Sequence, residues 1–99
     1  MNDIVADFLK YLSGVKKYSP HTVSAYEMDI SDFLCFCDNF FGATVDLNTI
    51  NNADTICFRA YLADRQRRGL SFKSTARALS AIRGFYRFLG KHFNVKNDA

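Results

Sequence analysis

Lys73, Arg77, Ser80, Gly84, Arg87 and Lys91 follow one another at intervals of four and three residues. At the helical advance of about 100° per residue these positions span only about 80° of a helix surface. Cations alternate there with a hydroxyl and a glycine, and no acid interrupts the row. Ordinary solvated helix faces pair Lys or Arg with Glu at four-residue spacing, because such pairs support the helix. A row of uncompensated cations is chemistry for an oxyanion, and phosphate is the simplest one. Ser80 and Gly84, being small, would let the helix axis approach a groove closely. Ser74 stands next to Lys73, and Arg83 falls on the flank of the row. The competing reading is a basic face that is merely solvated.

A second stretch with the same chemistry is Lys16-Lys17-Tyr18-Ser19-Pro20-His21-Thr22. Ser19 can cap a helix with its hydroxyl, and Pro20 suits the first helical position, where an N–H would have no partner. The free backbone N–H groups and positive dipole end of such a helix would receive a phosphate beside Ser19, His21 and Thr22, with Lys16 and Lys17 just upstream. Ser-Pro also starts many helices that bind nothing.

Cys35, Cys37 and Cys57 form an odd set without CxxC spacing or a neighbouring histidine, so they are read as free thiols in or near a core, and no metal site is expected. No run of about 18 apolar residues is present, which leaves no membrane span. The start, Met1-Asn2-Asp3-Ile4, is acidic and unlike a secretory signal.

The net charge of +3 conceals an asymmetry along the chain. Through Phe58 three bases face eight acids, a balance of −5; from Arg59 onward ten bases face two acids, a balance of +8. A half-chain that basic points to a polyanionic partner, nucleic acid before an anionic membrane surface.

Four helices are expected to hold these groups. Ile4, Val5, Phe8, Leu12 and Val15 make one face of a first helix over 3–15, and Val23, Tyr26, Ile30, Phe33, Leu34 and Cys37 make the stripe of a second over 20–40. Gly42 ends the second helix, and a polar connection runs through Asn48 and Asn51. Asn52 or Asp54 caps a third helix over 53–68 that turns Ile56, Phe58, Tyr61 and Leu62 inward. Its last turn holds Arg65, Arg67 and Arg68 at the negative end of the dipole, and Gly69 is its stop. Ser71 caps a fourth helix over 72–92, whose core face is read as Thr75, Leu79, Ile82, Tyr86, Leu89 and Phe93. Without strand-like alternation anywhere, the fold class is all-α, a compact four-helix bundle occupying 1–93, with a polar, frayed or linker-like tail at 94–99.

The run Ser71-x-x-Ser74-x-Ala76-Arg77-x-Leu79-Ser80-Ala81-Ile82-Arg83-x-Phe85-Tyr86-x-Phe88-Leu89 resembles the end of the N-terminal, core-binding domain of tyrosine recombinases. The Xer-type branch, which resolves chromosome dimers, and phage-type integrases are the nearest in appearance. Tyr18-Ser19-Pro20-His21-Thr22-x-x-x-Tyr26-x-x-Asp29-Ile30-x-x-Phe33 is similar to the start of that domain's second helix, and Phe58-x-x-Tyr61-Leu62 and Gly69-Leu70-Ser71 fit between the two. The stretch from Phe40 to Asn52 matches no motif.

The resemblance implies a SAM-like orthogonal bundle whose second and fourth helices approach the major groove of duplex DNA and its flanking phosphates. Carried onto this sequence, it places Arg77 and Arg83 nearest the groove and Lys73, Arg87 and Lys91 on phosphates. Ser74 and Ser80 would bond phosphate or base edges, and the turn from Ser19 to Thr22 a phosphate. The family's catalytic residues belong to a second, C-terminal domain, so none is assigned here. The tail at 94–99 would begin the linker to that domain. The implied partners are a double-stranded recombination site, the catalytic domain of the same chain and sister recombinase subunits in a synaptic tetramer, in the cytoplasm and without a cofactor. A helical protein–protein interaction module is the alternative, supported by Phe88, which the expected register leaves outside the core face. A membrane-surface helix is weaker, since the apolar face of the last helix is needed for the bundle.

Overall fold

The computed structural model describes residues 1–97, and five helices account for most of them: α1 Asn2–Gly14, α2 Pro20–Phe41, α3 Leu47–Asn52, α4 Thr55–Arg67 and α5 Phe72–His92. The fold is all-helical, as the sequence patterns require. Four of the helices lie within two residues of their expected bounds, and α3 is an addition within the polar connection.

Local chemistry explains the helix ends. Ser19 Oγ accepts from the Thr22 N–H at 3.2 Å, with Pro20 as first helical residue. Gly42, at φ +72°, takes the left-handed conformation that closes α2. Asp46 starts α3 by accepting from both the N–H and the hydroxyl of Thr49, each at 2.9 Å. Asp54, not Asn52, caps α4 through the Cys57 N–H at 3.1 Å, and Ser71 caps α5 through the Ser74 N–H at 3.0 Å. Gly69, at φ +75°, reverses the chain between those two helices.

Phe8, Ile30, Phe33, Tyr61, Phe85 and Leu89 are fully buried at the centre, where α1, α2, α4 and α5 meet. Burying each such large side chain contributes about 1.5–3 kcal/mol relative to leaving it in water. Phe8 packs on Phe85 and Phe88 with ring centroids 5.2 and 5.4 Å apart, and Phe33 meets Tyr61 edge-on at 5.2 Å. Three expected core residues are not inside: Ile56 is 69% exposed, Val15 68% and Leu62 37%. Cys37 and Cys57 are buried free thiols, held above the usual thiol range by burial, whereas Cys35 is exposed.

The tail differs from a frayed end over its described part. The Asn97 amide donates to the carbonyls of Ile50, Asn51 and Ala53 at 3.2, 2.7 and 2.6 Å, and the Lys96 N–H donates to Asn51 Oδ1 at 2.8 Å. Gly90 permits this return, since a Cβ there would sit 3.2 Å from the Val95 carbonyl oxygen. The last two positions of the expected linker, 98 and 99, lie outside the described residues.

Candidate nucleic-acid interface

The register of α5 decides which of its cations face outward. Its buried residues are Ala78, Ala81, Ile82, Phe85, Phe88 and Leu89. Their mean direction is rotated by about 80° from the face expected through Thr75, Leu79 and Tyr86. Those three, with Phe93, are half-buried on the flank instead. The shift has a packing reason: Ala78 and Ala81 present almost no side chain, and Phe85 and Phe88 insert beside Phe8 of α1. Phe88 is 7% exposed, between Phe8, Tyr11 and His92, so it offers nothing to a protein partner. By the same rotation Arg83 points away from the core at about 155°, and Arg77 lies only about 80° from its centre, toward α2.

Arg77 is accordingly neutralised. Its Nε and Nη2 donate to Oδ2 and Oδ1 of Asp29 at 2.8 and 2.9 Å, a two-pronged pair with a carboxylate that is 4% exposed. The bond to Asp29 holds the Arg77 guanidinium above its ordinary range. The absence of an acid on α5 itself concealed this partner, which sits on another helix.

A second carboxylate, Asp32, lies one turn further along α2 and gathers two more arginines. Arg68 donates to its two oxygens at 2.9 and 3.0 Å, Arg65 Nη1 to Oδ2 at 3.2 Å, and the Tyr61 hydroxyl to Oδ2 at 2.7 Å. The bonds from Arg68 hold the Asp32 carboxyl below the usual carboxylate range against the opposing effect of burial. Arg65, expected only to serve the negative end of the helix dipole, is 3% exposed. Its Nε donates to Thr75 Oγ1 at 3.0 Å and its Nη2 to Ser74 Oγ at 2.9 Å, so one guanidinium joins α2 and α4 to the first turn of α5. Ser74 is thus an acceptor inside this network. Paired spacing was the available signal: Asp29 and Asp32 are three apart, as are Arg65 and Arg68, and the acidic half of the chain meets the basic half through them.

The remaining candidate cations are unpaired. Lys16, Lys17, Lys73, Arg83, Arg87 and Lys91 are exposed, and none forms an ion pair among the described residues. Lys17 turns the chain after α1 with φ +58°, while the Tyr18 N–H reaches back to the Leu12 carbonyl at 2.9 Å. This turn brings Lys16 to α5, where it lines one cleft with Ser80, Arg87 and Lys91. Arg83 and Arg87 border a neighbouring groove with Leu79 and Tyr86. Ser19 and Thr22 bond each other through their hydroxyls at 3.0 Å in the exposed cap, with His21 exposed beside them.

Among the described residues no helix is long and apolar enough to cross a membrane, and no three His, Cys, Asp or Glu side chains cluster as metal ligands. Tyr61 and Tyr86 are held well above the usual phenol range by burial, and Tyr86 donates to the Ile50 carbonyl at 2.8 Å. Both are structural.

Comparison with known proteins agrees with this architecture. Residues 5–92 match the family described as phage integrase, N-terminal SAM-like domain. Tyrosine recombinase XerC of Rickettsia prowazekii (strain Madrid E) is 36% identical over 97 residues, which cover 98% of this chain and 32% of that protein. Tyrosine recombinase XerC of Rickettsia conorii (strain ATCC VR-613 / Malish 7) is 38% identical over 88 residues, 89% of this chain and 29% of the relative. The chain therefore spans about a third of the length of these curated relatives. No solved structure matches it. The family match across nearly every helix, together with those relatives, shows that the chain belongs to the phage integrase N-terminal SAM-like domain family.

Proposed function

We propose that this chain is the DNA-binding module that seats a tyrosine recombinase on its recombination site in the cytoplasm. One observation carries the reading. The fold pairs Arg65, Arg68 and Arg77 with the acids of α2, yet leaves Lys73, Arg83, Arg87 and Lys91 along α5, and Lys16 facing them, without an ionic partner among the described residues. A partner that releases counterions on binding, such as a duplex, supplies the missing charge. Arg83, one of the two arginines on the outward face of α5, is the one assigned to base edges, since arginine bonds guanine with two prongs. Lys73, Arg87 and Lys91 are assigned to phosphates, with the exposed turn at Lys17, Ser19, His21 and Thr22 as a flanking phosphate contact.

In this reading the parent protein cleaves and rejoins strands through a phosphotyrosyl link made by a domain that this chain does not span. Chromosome dimer resolution is the role that the resemblance to the Xer-type branch implies. Residues 94–97 anchor the exit toward that catalytic domain. Sister subunits in the synaptic assembly would meet apolar surface such as Phe72, which is 95% exposed, and Ile56.

Replacing Lys73, Arg83, Arg87 and Lys91 together by Gln tests the proposal by fluorescence anisotropy with a labelled duplex. The expected result is loss of binding at low salt with an unchanged circular dichroism spectrum. Undiminished binding by a folded quadruple variant contradicts it.

A further inference from the structure

The cleft between the α1–α2 turn and α5 differs from the open basic surface around it. It has a volume of about 230 Å³, and Lys16, Tyr18, Tyr26, Ser80, Arg87 and Lys91 supply its polar walls from three separate segments. Among the described residues no carboxylate lines it. Its floor is Phe8, Leu12 and Phe88, all buried, and Phe88 is braced by Tyr11 at 5.3 Å and Phe8 at 5.4 Å.

We propose that this cleft is a discrete seat for one phosphate group. Three cations around a low-dielectric floor repel each other more strongly than they would in water, and by the same physics they attract an anion more strongly. Their convergence from a turn and a helix, rather than along one helix, suits a tetrahedral group that presents oxygens in several directions. Arg87 can engage two oxygens with its planar fork, while Lys16 and Lys91 act as point charges. Tyr18 and Tyr26 meet edge-on at 5.8 Å, and both phenol hydroxyls are hydrogen-bond donors at neutral pH. The phosphate can come from the DNA backbone, in which case the inference rests on the proposed function, or from a free phosphate-bearing ligand.

Gly84 supplies a test that leaves every charge in place. It lines the same cleft, and a Cβ there would meet Phe8 Cζ at 3.7 Å, an ordinary contact. Gly84→Leu therefore directs a side chain into the cleft from a helix position with room for its Cβ. The measurement is the amide NMR spectrum of the 99-residue chain titrated with inorganic phosphate at constant ionic strength, with chloride as control. We expect saturable shifts at Ser80, Gly84 and Arg87, weakened about tenfold in Arg87→Gln/Lys91→Gln, as loss of charge-assisted hydrogen bonds implies. Arg59→Gln, on α4 and away from the cleft, keeps the wild-type response. Non-saturating or evenly spread shifts overturn the proposal, as does a Gly84→Leu protein that binds phosphate like wild type. If the seat is real and duplex affinity falls in Gly84→Leu, the source is the backbone. If duplex affinity is unchanged in that variant, the source is a free ligand. Saturable phosphate binding with no duplex binding by any form keeps the seat and removes the DNA reading.

Discussion

Arg77 and its neighbours on α5 separate in a way that charge patterning alone does not foresee. Arg77→Ala leaves the Asp29 carboxylate buried without its two-pronged partner. Removing one member of a buried ion pair costs about 3–5 kcal/mol. Here the Asp29 side chain is 5% exposed but that of Arg77 is 45% exposed, so water enters on the vacated side. We therefore expect a loss of about 2 kcal/mol, near half the buried-pair range. Urea unfolding followed by circular dichroism reads this as a midpoint lower by about 1.5 M, with a denaturant slope at the low end of the range for small domains. Arg77→Lys, which keeps the charge but not the fork, should lose about 1 kcal/mol. Asp29→Leu/Arg77→Met should recover most of the loss, because no buried charge is left stranded. Lys91→Ala should leave the midpoint within about 0.5 kcal/mol, as exposed substitutions do. If Arg77→Ala keeps wild-type stability while its duplex binding weakens like that of Lys91→Ala, the Asp29 pairing is not maintained in solution and the division of roles is refuted.

Arg65→Met should lower stability by about 2–3 kcal/mol in the same assay, since the four hydrogen bonds of its buried guanidinium, to Asp32, Tyr61, Ser74 and Thr75, disappear while Arg68 and Tyr61 continue to hold Asp32. The Asp32 carboxyl, depressed in the folded state, contributes stability that is complete above the ordinary carboxylate range near pH 4 and is lost as pH falls below it. An acid titration of unfolding should therefore be shallower for Asp32→Asn than for wild type, and identical acid limbs would contradict this. Ser71→Ala removes the cap of α5 and should cost about 1 kcal/mol. Gly42→Ala places a side chain at φ +72° and should cost about 1 kcal/mol, although no atom stands in its way.

Much of the fold is legible in the sequence where structure is decided within a few residues. Ser19-Pro20, Asp54, Ser71, Gly42 and Gly69 set helix ends through their own side chains or backbone, and each does so as its chemistry dictates. Short α3 escapes because its six residues, with only Leu47 and Ile50 apolar, are too few to show a hydrophobic period, although Asp46 and Thr49 held its capping signal. The register of α5 escapes for a different reason. Apolar residues occupy most of that helix's circumference, so periodicity admits more than one core face, and only the fit of Ala78, Ala81 and Phe85 against α1 and α2 selects among them. The candidate interface divides in the same way. Its unpaired cations are readable from charge, but Arg77 and Arg65 take partners 48 and 33 residues away, and the matched spacing of acids and arginines does not say which pairs form.

The central claim is that the unpaired cations of α5 hold duplex phosphates. It is tested most directly by the salt dependence of duplex affinity for the 99-residue chain and for the single variants Lys73→Ala, Arg87→Ala and Lys91→Ala. The account predicts a linear fall of log affinity against log salt with a slope of several counterions, reduced by about one in each variant. Duplex affinity that is absent at low ionic strength, or that is indifferent to salt, contradicts it.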